Sequence, residues 1–189
     1  MRIGLLGGTF NPIHNGHLFF AEQAKRELDL DKIILIPACM PVHKEPEFLA
    51  DSEDRLRMME IAIKSKPGFE ISRYEVDKKQ KCYSIEILTN LSNLYPRDTE
   101  FFFLIGSDML YGLGRWNEID RLLQLCQFIV CERPGSTADI NHDNIERINI
   151  ESVDISSTEI RRKIKNRENV SGLLPDNVET YIISKNLYK

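Results

Sequence analysis

Near the start of the chain, the eleven residues Gly7–His17, GGTFNPIHNGH, hold three glycines and two of the chain's four histidines. A plain strand-to-helix turn needs neither. Gly7 and Gly8 let the backbone approach a ligand closely, and Asn15 reads as the cap of a following helix. That places His17 in the first helical turn, where the dipole favours an anion. His14 and His17 can then converge on one phosphate group. Imidazole N–H groups, with the exposed amides of the turn, stabilise charge that builds on a phosphoryl group during transfer. The histidines would act as donors, not as nucleophiles.

The turn fits neither the dinucleotide GxGxxG spacing nor a P-loop, since it lacks the GK[ST] ending. A metal site is also disfavoured: helical metal pairs usually stand at i, i+4, and no third ligand lies nearby. No metal ligand is assigned. A second phosphate-suited element lies near the other end of the chain in ISSTEIR, Ile155–Arg161. Ser156 followed three residues later by Glu159 has the form of a capping box, so a helix starts here directly after a strand. Arg161 and Arg162 follow within a turn and a half, where cations are unfavourable unless an anion is present.

Positioning these groups requires an α/β framework. Apolar runs at Ile3–Leu6, Ile33–Ile36, Phe69–Val76, Phe101–Ile105, Phe128–Cys131 and Ile148–Ile155 read as strands, and the continuous ones suit a sheet buried on both faces. Between them, Leu18, Ala21, Ala24 and Leu28 form a helical stripe. Leu56, Met59 and Ala62 form another after the start signal Asp51-Ser52, and Ile85, Leu88 and Leu91 a third. Further helices are expected at Ile119–Leu125, from Ser157 to about Arg167, and after Pro175-Asp176. The alternation implies a Rossmann-like, doubly wound, mostly parallel sheet with a helical C-terminal part.

The chain has 189 residues, 42% hydrophobic and 29% charged, which predicts one domain over residues 1–189 with a core of its own. A formal net charge of −4 offers no basic field for nucleic acid or anionic membranes, so phosphate must be bound locally. The first apolar run is too short for a secretion signal or a membrane span, which predicts a cytoplasmic protein. Cys39, Cys82, Cys126 and Cys131 lack metal spacing and read as reduced, mostly buried residues. The sequence is compatible with a homo-oligomer.

GGTFNPIHNGH resembles the T/HxGH signature of the nucleotidylyltransferase superfamily, here His14–His17, and ISSTEIR resembles its C-terminal signature. Other stretches are similar to the bacterial nicotinate mononucleotide adenylyltransferases: PVHKEP at Pro41–Pro46, YSIEIL at Tyr83–Leu88, the stretch Phe101–Trp116 with Gly106, Asp108 and Trp116, and ERPG at Glu132–Gly135. The sequence departs from that pattern at Val42, Glu86, Ile87 and Asn117.

The resemblance implies an adenylyltransferase that joins ATP and nicotinate mononucleotide into deamido-NAD and pyrophosphate, by in-line attack without a covalent intermediate. It implies catalytic roles for His14, His17, Lys44 and Arg161. ATP would lie against Gly7, Gly8, Thr9, Phe10, His14, His17, Gly106, Asp108, Arg133, Ile155, Ser156, Ser157 and Thr158. Asp108 would meet either ribose hydroxyls or metal-bound water. The pyridine mononucleotide would lie against Thr9, Lys44, Ser84, Trp116 and Asn117, with Trp116 stacked on the ring. Magnesium would travel with the ATP. The alternatives are nicotinamide mononucleotide or another phosphate acceptor on the same fold, or a module that senses adenylates without turnover.

Overall fold

The computed structural model describes residues 1–39, 48–132, 143–151 and 153–189, with the side chain of Asp108 outside that description. Strands β1 (Arg2–Gly8), β2 (Lys32–Pro37), β3 (Phe69–Ile71), β4 (Glu100–Gly106), β5 (Gln127–Glu132) and β6 (Ile145–Asn149) form one sheet in the order β3-β2-β1-β4-β5-β6. Every pairing in it is parallel. The helices are α1 (Asn15–Glu27), α2 (Ser52–Ile63), α3 (Tyr74–Lys78), α4 (Ser84–Leu94), α5 (Leu110–Leu113), α6 (Ile119–Leu125), α7 (Ser157–Lys165) and α8 (Asp176–Ser184), with a 3-10 turn at Ser107–Met109 before α5. The expected Rossmann-like α/β fold is present.

The continuous apolar strands feed two cores. On one face Leu6, Leu104 and Ile129 pack against Leu18 of α1, Met59 of α2, Ile160 of α7 and Val178 of α8. On the other, Leu5, Phe103 and Val130 pack against Leu88 of α4 and Leu122 of α6. Each such buried side chain contributes about 1.5–3 kcal/mol to folding. The chain winds outward from β1 in one direction and from β4 in the other, which opens a crevice beyond their carboxyl ends.

Two strand expectations are corrected. Phe69–Val76 is strand only to Ile71, and Tyr74–Lys78 is helical. The apolar positions step by three from Ile71 to Tyr74, which breaks the period of two, and β3 is an edge strand with only the three residues Ile33, Ile34 and Leu35 to pair with. The last strand runs Ile145–Asn149 rather than Ile148–Ile155, because its partners on β5 are Phe128–Glu132. The residues beyond Asn149 instead carry the chain back toward α7.

Candidate active site

β1 ends at Gly8 on the crevice, and the turn that follows delivers α1. Among the described residues a Cβ on Gly7 would meet nothing within 4 Å, so its backbone is open to a ligand. Gly8 has another reason to be glycine: a Cβ there would lie 3.1 Å from Cζ of Phe10. Phe10 sits in the left-handed region at φ 47° and is 2% exposed, a strained backbone held by packing. Its ring meets the His17 ring edge-on at 5.0 Å.

The cap of α1 is His14, not Asn15 as the sequence suggested. The Nδ1 of His14 accepts the His17 amide and the Nδ1 of His17 accepts the His14 amide, both at 3.3 Å. Two imidazoles thus form the reciprocal box usually built from Ser and Glu. Their rings stack at a centroid distance of 3.6 Å. Asn15 serves elsewhere, its Nδ2 donating to the Gly172 carbonyl at 2.9 Å and its amide to Leu173 at 3.0 Å.

This box fixes protonation. Because Nδ1 accepts in both rings, the ring proton of each neutral imidazole stands on Nε2. Neither Nε2 has a protein partner among the described residues. Burial lowers the pKa of His14 to about 4. That of His17 is pushed well below its ordinary value, first by burial and then by the neighbouring His14. Both are neutral N–H donors at neutral pH. Gly16 completes the arrangement, since a Cβ there would stand 3.1 Å from His14 Nδ1 and 3.4 Å from Cβ of Ile155.

The two sequence elements meet here. Ser157 Oγ donates to the Pro12 carbonyl at 2.9 Å, and Arg161 Nη1 donates to the Asn11 carbonyl at 2.8 Å. Arg161 is 7% exposed and also reaches Thr158 Oγ1 at 3.3 Å, so its guanidinium braces the turn from behind. At the start of α7, Ser156 Oγ accepts the Glu159 amide at 3.1 Å, as its cap position predicts. The Glu159 carboxylate lies 3.9 Å from Lys163. Ile155 and Ser157 are part-buried, while Ser156 and Thr158 are exposed at the helix N-terminus.

Across the crevice, Gly106 closes β4 in extended backbone opposite Cys131. Asp108 follows on the 3-10 turn, its side chain outside the described part. Trp116 is part-buried, held edge-on by Phe103 at 5.5 Å and Phe128 at 5.8 Å. Asn117 beside it is exposed. Ser84 is the first residue of α4, where the preceding Tyr83 amide donates to Glu86 Oε1 at 3.0 Å. Lys44 and Arg133 lie outside the described residues.

Several residues around the turn escaped the sequence reading. Asn11 is a buried hub: its Oδ1 accepts the Tyr188 hydroxyl at 2.8 Å and the Ala50 amide at 3.1 Å, while its Nδ2 donates to the Phe48 carbonyl at 3.2 Å. Arg55, on α2, reaches the Thr9 carbonyl with Nη1 at 2.8 Å. Burial lowers its pKa, but a guanidinium stays charged. Glu75, on α3, accepts the Cys39 amide at 2.9 Å, and burial raises its carboxyl pKa. One signal was available: Arg55 stands four residues before Met59 and seven before Ala62, on the apolar stripe of its helix.

The donor set at the turn is amides, hydroxyls and imidazole N–H groups, which match phosphate oxygens. Among the described residues no group of three His, Cys, Asp or Glu side chains could hold a metal. Such a donor set suits the phosphates on which a magnesium ion would travel. All four cysteines are free, with burial pushing the Cys126 and Cys131 thiols up to about 12. Among the described residues no helix is long and apolar enough to cross a membrane.

The family model described as cytidylyltransferase-like matches residues 5–163 of the chain. The chain is 40% identical over 188 residues to a probable nicotinate-nucleotide adenylyltransferase of Bacillus pumilus, covering 100% of this chain and 98% of that one. It is 43% identical over 190 residues to a protein of the same description from Halalkalibacterium halodurans, covering 100% and 91%. Among solved structures, it superimposes with a TM-score of 0.80 on the Plasmodium falciparum nicotinic acid mononucleotide adenylyltransferase complexed with NaAD, at 22% identity, covering 99% of this chain and 97% of that one.

Proposed function

The chain belongs to the cytidylyltransferase-like family, and from that premise we infer how its crevice works as the site of a nicotinate-nucleotide adenylyltransferase. The enzyme joins ATP and nicotinate mononucleotide into deamido-NAD and pyrophosphate, a step of NAD biosynthesis.

An oxygen of the mononucleotide phosphate attacks the α-phosphorus of ATP in line, and the bond from that phosphorus to the pyrophosphate oxygen breaks. Among the described residues of the site none is built as a nucleophile, so the chain's work is positioning and charge stabilisation. The observation that carries this reading is the reciprocal box of His14 and His17, which holds two neutral imidazoles with Nε2–H free for phosphate oxygens. Two imidazoles fixed in place before substrate arrives need no reorganisation as charge develops on the transferring phosphoryl group.

Gly7, Gly8, Thr9 and Phe10 supply the backbone edge along which the phosphates lie. Ile155, Ser156, Ser157 and Thr158 border the nucleotide at the N-terminus of α7, with Gly106 across the crevice, and Asp108 and Arg133 also serve the nucleotide. Arg161 acts from behind by holding the Asn11 carbonyl, and Lys44 supplies positive charge to the transferring phosphate. At the far end the amides of Ser84 and Asn117 receive the pyridine carboxylate while the Trp116 indole lies against the ring. The N-terminus of α4 favours an anion there, which supports nicotinate over nicotinamide. Magnesium bound to the ATP phosphates would neutralise part of their charge during transfer. The reaction belongs in the cytoplasm, which the four free cysteines support.

Pyrophosphate release measured with magnesium, ATP and a panel of phosphate acceptors tests the reading. Release is expected with nicotinate mononucleotide in preference to nicotinamide mononucleotide. Silence with both would overturn the assignment, and equal efficiency would overturn the nicotinate preference alone.

A further inference from the structure

Two buried charges that the reaction above does not use join the phosphate turn to the start of α4. Arg55, 1% exposed, donates to four backbone carbonyls: Nη1 to Thr9 at 2.8 Å and Ala38 at 2.6 Å, Nη2 to Cys39 at 2.8 Å, and Nε to Ala50 at 3.1 Å. These carbonyls belong to three segments: the end of β1, the end of β2 and the approach to α2. Only a rigid fork of five N–H donors can hold all of them at once; a lysine ammonium has three, converging on one point. Glu75, 5% exposed, takes the amide of the same Cys39 at 2.9 Å, and the Cys82 amide faces the same carboxylate. Cys82 stands two residues before Ser84.

Burying a charge costs several kcal/mol unless hydrogen bonds compensate it, and an apolar side chain would fill the stripe of α2 at less cost. What the pair achieves is geometric. The carbonyls held by Arg55 all lie beside the crevice, not in the middle of the sheet.

We propose that Arg55 and Glu75 are positioning residues for adenylyl transfer: by gripping the Cys39 backbone from both sides, they set the distance between the phosphate turn at Thr9 and the pyridine end at Ser84. The inference rests on the assignment of those two ends to the two substrates. Their separation decides whether the attacking oxygen and the α-phosphorus line up, and a misplacement of about 1 Å can cost on the order of 100-fold in rate.

The test uses R55K, E75Q and the double variant of the full chain. It measures kcat and KM for each substrate by pyrophosphate release, with the folded fraction from circular dichroism at the same temperature. Per folded molecule, R55K is expected to lose roughly 30-fold in kcat and E75Q roughly 10-fold, with KM for ATP within about threefold of wild type. The double variant should lose about as much as R55K alone, because both residues act on one backbone segment. Losses that merely track the folded fraction, that fall on KM alone, or that multiply in the double variant would overturn the proposal. Should R55K fail to fold, E75Q decides: a kcat loss at unchanged KM for ATP supports the link, and activity within about threefold of wild type rejects it. A wild type silent with nicotinate mononucleotide would overturn the assigned reaction and this proposal together; an active wild type with unaffected variants would overturn the proposal alone.

Discussion

Helices α1 and α7 both begin at the crevice and both present an N-terminus to it, yet they are capped by different chemistry. α7 uses Ser156, a hydroxyl that accepts the Glu159 amide, and has an acidic residue in its first turn. α1 uses His14 and His17 against each other's amides and has no acidic residue in its first turn. A serine cap satisfies one amide and ends there. A histidine cap satisfies the amide with one nitrogen and keeps a second nitrogen, on a rigid ring, as a donor to whatever lies outside. The same local rule that ends a helix cleanly at α7 becomes at α1 a way of aiming two N–H groups.

The comparison breaks first at the histidines. H17A or H14A is expected to lower kcat by about 100-fold or more, the scale of removing one preorganised donor to a transition state. Steady-state kinetics would report it, and a loss confined to KM would reduce these residues to substrate binding.

Acid should separate the two caps next. The unfolded chain takes up a proton on His14 near its ordinary 6.5, while the folded chain resists it until about 4. Stability is therefore full above the higher value and falls as pH drops through that window, by on the order of 3 kcal/mol from His14. Urea titrations at stepped pH would show the slope, and H14A should flatten it. The hydroxyl cap of α7 has no such dependence.

Gly16 sharpens the point that the rings must be aimed. A Cβ at 3.1 Å from His14 Nδ1 must displace the ring by a few tenths of an ångström. G16A is expected to lose roughly 10-fold in kcat although alanine is the better helix former. At α7, S156A should cost about 1 kcal/mol of stability in urea unfolding, the ordinary value of a cap. Smallest of all, Y188F should cost about 0.5–1 kcal/mol by the same measurement, because the Ala50 amide still satisfies Asn11 Oδ1.

The sheet and most helices were legible because continuous apolar runs and 3.6-residue stripes are properties of neighbours in sequence. The strand expected over Phe69–Val76 failed where a tertiary demand won: Glu75 reaches Cys39 from a helix. The identity of His14 as cap was hidden for a related reason. Asn15 is the better cap by propensity, but its side chain is drawn to Gly172, and the imidazole takes the vacated role. His14, His17, Ser156 and Ser157 could be read because they sit in two contiguous motifs. Asn11 and Tyr188 could not, and Arg55 showed only as a charge on an apolar stripe, since their partners are remote in sequence and only the folded chain brings them together.

The hydrogen bond from Tyr188 to Asn11 spans 177 residues. Closing a loop of that length is the slow, entropically expensive kind of contact, made after local structure and the sheet exist. The imidazoles of the turn and the hydroxyl that pins it thus lie far apart in sequence, and the turn is fully braced only once the sheet and α8 have brought the two together.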